Sequence, residues 1–131
     1  MPASLTDRAE LTDLVSRLGR WLDDASTAAP ADLLTDDATV TTPGGTATGR
    51  DAVVAQALRT HAHVVTQHVI TDVLADVEDD RATVSANLLA TFARETGPET
   101  LGERYAFTAR RTGAGWRLRS IEVLPLWRRA A

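Results

Sequence analysis

The chemistry available to this chain rests on three histidines and a few well-placed acids. It has no cysteine, which excludes disulfides, zinc–thiolate sites and thiolate nucleophiles. His68 is the leading candidate. Alternation along Val64 to Val77 puts His68, Ile70, Asp72 and Leu74 on one strand face. An imidazole on the covered face of a sheet can serve as general base or acid near neutral pH. The plainer reading is a histidine that satisfies a buried backbone group. Asp72 shares the face, but four residues of strand span about 13 Å, too far for a direct hydrogen bond without a bulge. It is expected to line the same space. Tyr105 would donate to a substrate oxygen, or simply pack. Glu122 alternates with Trp116, Leu118 and Ser120, so it faces inward or serves a salt bridge between subunits.

Other constellations are weaker. His61 and His63 form an H-x-H, which chelates metal only when both rings point the same way. They straddle a helix end, only His61 continues the apolar face, and no acid stands at partner spacing. No metal site is expected. Pro43-Gly44-Gly45 reads as a hairpin turn, and without a following lysine it is not a phosphate loop. No serine sits in a nucleophile elbow.

The elements that must position these residues follow from periodicity. Leu11, Leu14, Val15, Leu18, Trp21, Leu22 and Ala25 form one buried helical stripe. Thr6 or Asp7 can cap it, and Asp7 with Glu10 has capping-box spacing. Ser26 to Ala29 breaks the pattern, and Pro30 predicts a short second helix over 31–34. Ala38 to Thr42 and Thr46 to Thr48 read as a short hairpin around the Pro-Gly-Gly turn. Gly49-Arg50-Asp51 opens a third helix, with Val53, Val54, Ala57, Leu58 and His61 on one face. Four strands follow, over 64–77, 82–94, 105–111 and 116–124, with a loop over 96–102. This is an α+β order. Helices must cover one face of the twisted sheet, leaving a cavity between them. Its expected walls include Leu18, Trp21 and Leu22, Val54 and Leu58, and Phe92, which alternates with Val84, Ala86, Leu88 and Ala90.

Composition sets the outer bounds. A chain of 131 residues, 44% hydrophobic, fits one domain with a core that needs no staples. The net charge of −4 argues against nucleic acid and anionic membranes as partners. All 14 basic residues are arginine. Those gathered near the C-terminus alternate with apolar residues and read as solvated strand faces. No apolar run spans a bilayer, and Met1 to Asp7 lacks the pattern of a signal peptide. The expected location is the cytoplasm. Val69, Val73, Val77 and Leu89 would leave the outer sheet face partly apolar, which points to a homodimer.

Several short motifs, in order, resemble one family. Trp21-Leu22-Asp23 followed by Thr35-Asp36-Asp37-Ala38 is similar to the opening of SnoaL-like proteins. Gly49-Arg50-Asp51-Ala52-Val53 resembles the start of their third helix, and Gly115-Trp116-Arg117-Leu118 their final strand. Thr66-Gln67-His68 resembles the histidine strand of scytalone dehydratase. The resemblance implies one nuclear transport factor 2-like domain over residues 1–131. Its fold would be a cone-shaped α+β barrel, three N-terminal helices packed on a strongly curved, mainly antiparallel sheet. It further implies that Asp23, which periodicity alone leaves solvated, faces the cavity as partner to His68, with Asp24 as its rival. The second histidine of that dehydratase falls near Phe92 here. The function implied is a cofactor-independent cyclase, dehydratase or isomerase acting on a hydrophobic small molecule such as a polyketide or other secondary metabolite. The alternatives are a non-catalytic binding or accessory protein with the same pocket, and a dimerisation module with a filled one.

Overall fold

A computed structural model describes residues 1–25 and 30–130. The expected break at Ser26 to Ala29 lies outside the described residues. Helix α1 (Leu5–Asp24) is capped by Ser4 and not by Thr6 or Asp7: the Ser4 hydroxyl accepts from the Asp7 backbone N–H at 3.1 Å. Asp7 is thus not the cap. Its carboxylate instead reaches Arg111 and the Trp116 indole. The helix ends at Ala25, whose backbone is left-handed (φ 49°).

No helix forms over 31–34. Leu33 and Leu34 N–H groups both bond the Pro30 carbonyl in a single turn, and Leu34 already starts strand β1 (Leu34–Thr42). Among the described residues two helices, not three, pack on the sheet. Strand β2 (Gly45–Thr48) and helix α2 (Arg50–His61) follow as expected. Then come β3 (Val65–Glu78), β4 (Arg81–Arg94), β5 (Gly97–Thr112) and β6 (Gly115–Ala130). The loop expected over 96–102 is strand: Gly97 takes a φ of 121° and pairs with Arg94, so two residues make the turn and Pro98 enters the ladder opposite Ala93.

One six-stranded sheet runs in the order β2-β1-β6-β5-β4-β3. Pairing is antiparallel except between β1 and β6. Bulges at Asp72–Val73, Arg119 and Leu126 bend it, and the register of β1 on β6 also shifts between Leu34 and Thr39. Each bulge adds a residue to one strand, which raises local twist and curls the sheet around the helices. On the concave face Leu11, Leu14, Val15 and Leu18 meet Ala82, Val84, Ala86, Leu88, Phe107 and Leu118. The alanines of β4 and β5 make room for the helix. Fully buried Leu11 and Leu34 each contribute about 1.5–3 kcal/mol. No helix among the described residues is long and apolar enough to cross a membrane.

Candidate active site

The edge strand β3 presents backbone N–H groups that no further strand can take. Helix α1 lies along it, and the last turn of α1 supplies a carboxylate there. Asp23 Oδ2 accepts from the His68 backbone N–H at 3.1 Å, and Oδ1 lies 2.6 Å from His68 Nδ1. The Thr66 hydroxyl donates to Oδ1 at 3.0 Å. Asp23 is thus held by three donors, and its side chain is only 20% exposed. His68 is more enclosed, its side chain 3% exposed. The neighbouring Asp24 is exposed. A carboxylate on Nδ1 fixes the imidazole's tautomer and orientation, leaving Nε2 to work.

That Nε2 faces His61 Nε2 at 3.3 Å. His61 ends α2, anchored by Nδ1 to the Ala57 carbonyl at 2.9 Å. Burial is the main cause that holds the His61 pKa below its ordinary value; the Ala57 carbonyl raises it, His68 lowers it, and Asp23 raises it. The H-x-H pair divides: His61 enters the cavity, whereas His63 is exposed on a left-handed backbone (φ 70°). Among the described residues no group of three or more histidines and acids could hold a metal ion.

The dyad opens into a cavity of ≈ 200 Å³. Leu18, Trp21, Leu22 and Phe92 form apolar wall, as expected, and Tyr105 is also there. Helix α2 turns a different side inward: Val53, Gln56, Ala57, Thr60 and His61 line the cavity. Val54 is buried and Leu58 half-buried, but neither reaches it. The apolar positions 53/54 and 57/58 left two rotations open, and the polar Gln56 and Thr60 disguised the true one.

Asp72 and Glu122 are both exposed and outside the cavity. Asp72 sits in the β3 bulge with φ 54° and accepts from Asn87 and Thr71 side chains. The bulge at Arg119 turns Ile121 and Val123 inward in place of Glu122. Glu103, which the sequence reading passed over, lines the cavity instead. Burial raises its carboxyl pKa. Burial also pushes the Tyr105 phenol up, with the nearby Glu103 and Asp23 carboxylates adding to it. Among the described residues neither the Glu103 carboxyl nor the Tyr105 hydroxyl has a hydrogen-bond partner, so both remain available to a ligand. The arrangement therefore offers a carboxylate-oriented histidine, a second histidine, a carboxyl group that burial favours protonated, and a phenol, around an apolar space.

The profile of the SnoaL-like domain family matches residues 3–122. No curated protein matches the chain. Among solved structures, an NTF2-like protein with a cystatin-like fold from Novosphingobium aromaticivorans is 28% identical, with a TM-score of 0.78 over 93% of this chain and 83% of its own. A proposed scytalone dehydratase from the same organism is 21% identical, with a TM-score of 0.86 over 97% and 89%. A hexachlorocyclohexane dehydrochlorinase (LinA) of type 2 is 20% identical, with a TM-score of 0.86 over 97% and 90%. The last two likenesses show a shared fold.

Proposed function

We propose that this chain, which belongs to the SnoaL-like domain family, is a cofactor-independent acid–base enzyme of the dehydratase, isomerase or cyclase kind. The observation that carries the reading is the 2.6 Å contact between Asp23 and His68 Nδ1 at the wall of an apolar cavity. His68 Nε2 takes a proton from a carbon next to a carbonyl, and Asp23 stabilises the imidazolium that forms. The apolar walls orient the substrate and exclude water. The names of two structural neighbours, one a proposed dehydratase and one a dehydrochlorinase, denote eliminations, which need the same proton abstraction.

Cavity size narrows the substrate. An apolar cavity of about 150 Å³ holds benzene, so ≈ 200 Å³ suits one substituted ring. A polyketide or other secondary metabolite would have to be a compact cyclic one. The alternative, a non-catalytic binder, draws on Phe92, which stands in the wall where the dehydratase resemblance calls for a histidine. The reading also includes a cytoplasmic homodimer joined through the open sheet face. Val69, Leu89, Leu126 and Trp127 are 45–57% exposed there, and Trp127 lies on the Gly102 backbone. Val73 and Val77 pack against the core instead. Sedimentation as a monomer at micromolar concentration would count against the dimer.

The test is turnover of small cyclic hydroxy-ketones and enones by the wild type, His68→Ala and Asp23→Asn. Loss of His68 should cost about 10²–10⁴-fold in kcat with the fold intact. Wild-type rates in both variants would end the assignment of the acid–base chemistry to His68 and Asp23. Ligand binding without turnover in any form would favour the binder.

A further inference from the structure

Resting on that acid–base reading, we propose that His61 and His68 hold one proton between their Nε2 atoms, and that His61 is a second catalytic residue, delivering a proton while His68 removes one. The argument is one of tautomers. A carboxylate only accepts, so His68 Nδ1, 2.6 Å from Asp23 Oδ1, carries a hydrogen. A carbonyl only accepts, so His61 Nδ1, 2.9 Å from the Ala57 oxygen, carries one too. A neutral imidazole has a single N–H. Two neutral rings would therefore point bare lone pairs at each other across 3.3 Å. One added proton turns that repulsion into an N–H···N bond.

The competing tautomer is disfavoured by Thr60. Its hydroxyl lies 2.7 Å from His61 Nδ1 but donates to the Ala57 carbonyl at 3.1 Å. Were Nδ1 to accept from Thr60 instead, its lone pair would still face the Ala57 oxygen at 2.9 Å. A second proton is opposed by putting two imidazoliums at contact. Among the described residues, the charged and titratable groups facing the pair are Asp23 from α1 and Glu103 and Tyr105 from β5, and no arginine lines the cavity. One proton between two bases is the state the Asp23 carboxylate favours.

When a substrate enters between the two Nε2 atoms and takes the place of their N–H···N bond, such a pair performs elimination without outside help. From a β-hydroxy carbonyl compound, the C–H bond breaks and its proton goes to His68 Nε2. The electron pair forms the C=C bond. The C–O bond breaks, and the leaving oxygen takes the His61 proton to depart as water. The pair holds one proton before and after. It has moved from His61 to His68, and its return across 3.3 Å resets the site. In an isomerisation, a second carbon receives the His61 proton.

Nitrogen-15 NMR of the histidine rings in the whole protein tests the pair without any substrate. His61 and His68 should take up a first proton jointly, both Nδ1 atoms protonated, and a second only at clearly lower pH. In His61→Gln, the two-step uptake should disappear. Independent titration of both rings over one pH range, or a neutral His61 with its hydrogen on Nε2, overturns the shared proton. For the catalytic half, His61→Gln should lower kcat about 10²-fold or more with KM little changed and the melting temperature retained. A wild-type kcat overturns that half. A shared proton in a protein that turns nothing over sinks the enzyme reading, and the catalytic role of His61 with it, while the proton pair stands.

Discussion

Gly19 lies against Ile70 with no space between them: a Cβ on Gly19 would sit 2.8 Å from Ile70 Cδ1 and 3.6 Å from His68 Cβ. Four residues on, the same face of α1 carries Asp23. A missing side chain thus lets the helix settle onto β3, and that approach brings the Asp23 carboxylate to His68. Gly19→Ala should be nearly neutral. The clash is with the end of a flexible side chain, and alanine returns up to about 1 kcal/mol of helix propensity. Gly19→Leu must lift the helix, at about 1–3 kcal/mol of overpacking, and should reduce turnover by at least about tenfold. Melting curves and kinetics on both variants decide it. Full activity in Gly19→Leu would show that helix approach does not set the dyad.

Asp23→Asn keeps the shape but offers His68 an amide in place of a carboxylate. The Asn oxygen can accept from His68 Nδ1 or from Thr66 and the backbone, but nothing then balances an imidazolium. The expected loss is about 10²–10⁴-fold in kcat. Thr66→Val removes one of the three donors to Asp23 and keeps the volume, so it should cost only about 1 kcal/mol and a few-fold in rate. A Thr66→Val effect as large as that of Asp23→Asn would mean that the hydroxyl, not the carboxylate charge, is what matters.

The sequence carried the order of elements, apart from the helix expected over 31–34, and the Asp23–His68 pairing, the first through periodicity and the second through resemblance. The strand side chains that failed did so at bulges, whereas the helix over 31–34, the loop over 96–102 and the inward side of α2 failed elsewhere. Alternation has a period of two, and one inserted residue moves every later side chain to the other face. His68 and Ile70 precede the Asp72–Val73 bulge and face inward; Asp72 and Leu74 do not. Trp116 and Leu118 precede the Arg119 bulge and are buried; Glu122 follows it and is exposed. The one local clue was Asp72 itself, since aspartate tolerates the left-handed backbone that a bulge demands. His61 was legible as a continuation of the α2 face. That it meets His68 depends on how α2 packs on β1, β2 and α1, which no local pattern encodes.

Asp7 should govern tolerance to acid. The Arg111 guanidinium, then the Trp116 indole and Ser4, hold its carboxyl at about 2, below the ordinary 3.8, against some opposing desolvation. A depressed carboxyl stabilises the fold above its unfolded value, and that contribution disappears as pH falls through the folded value. Asp7→Asn should melt below the wild type at pH 7, and the gap should close between about pH 4 and pH 2. Melting temperatures across that range are the measurement. Parallel curves would show that the tie from α1 to the β5–β6 hairpin carries no net charge energy.

Glu103 should behave in the opposite sense. Burial in the cavity wall raises its carboxyl above the ordinary 4.5, so the folded protein holds the proton that the unfolded chain releases. The contribution is present below the unfolded value and is lost as pH rises through the folded one. Glu103→Gln cannot ionise, so it should gain stability relative to the wild type as pH climbs from 4 to 8. The same protonated carboxyl can donate to a ligand carbonyl, and a glutamine amide can do so as well. Glu103→Gln should therefore retain affinity for a small cyclic ketone. Glu103→Leu should lose about tenfold, the worth of roughly one hydrogen bond in a dry site. Calorimetric binding and melting at the two pH values measure both effects. If Glu103→Gln tracks the wild type at every pH, the carboxyl is solvated in the open cavity, and its part in holding a ligand falls with it.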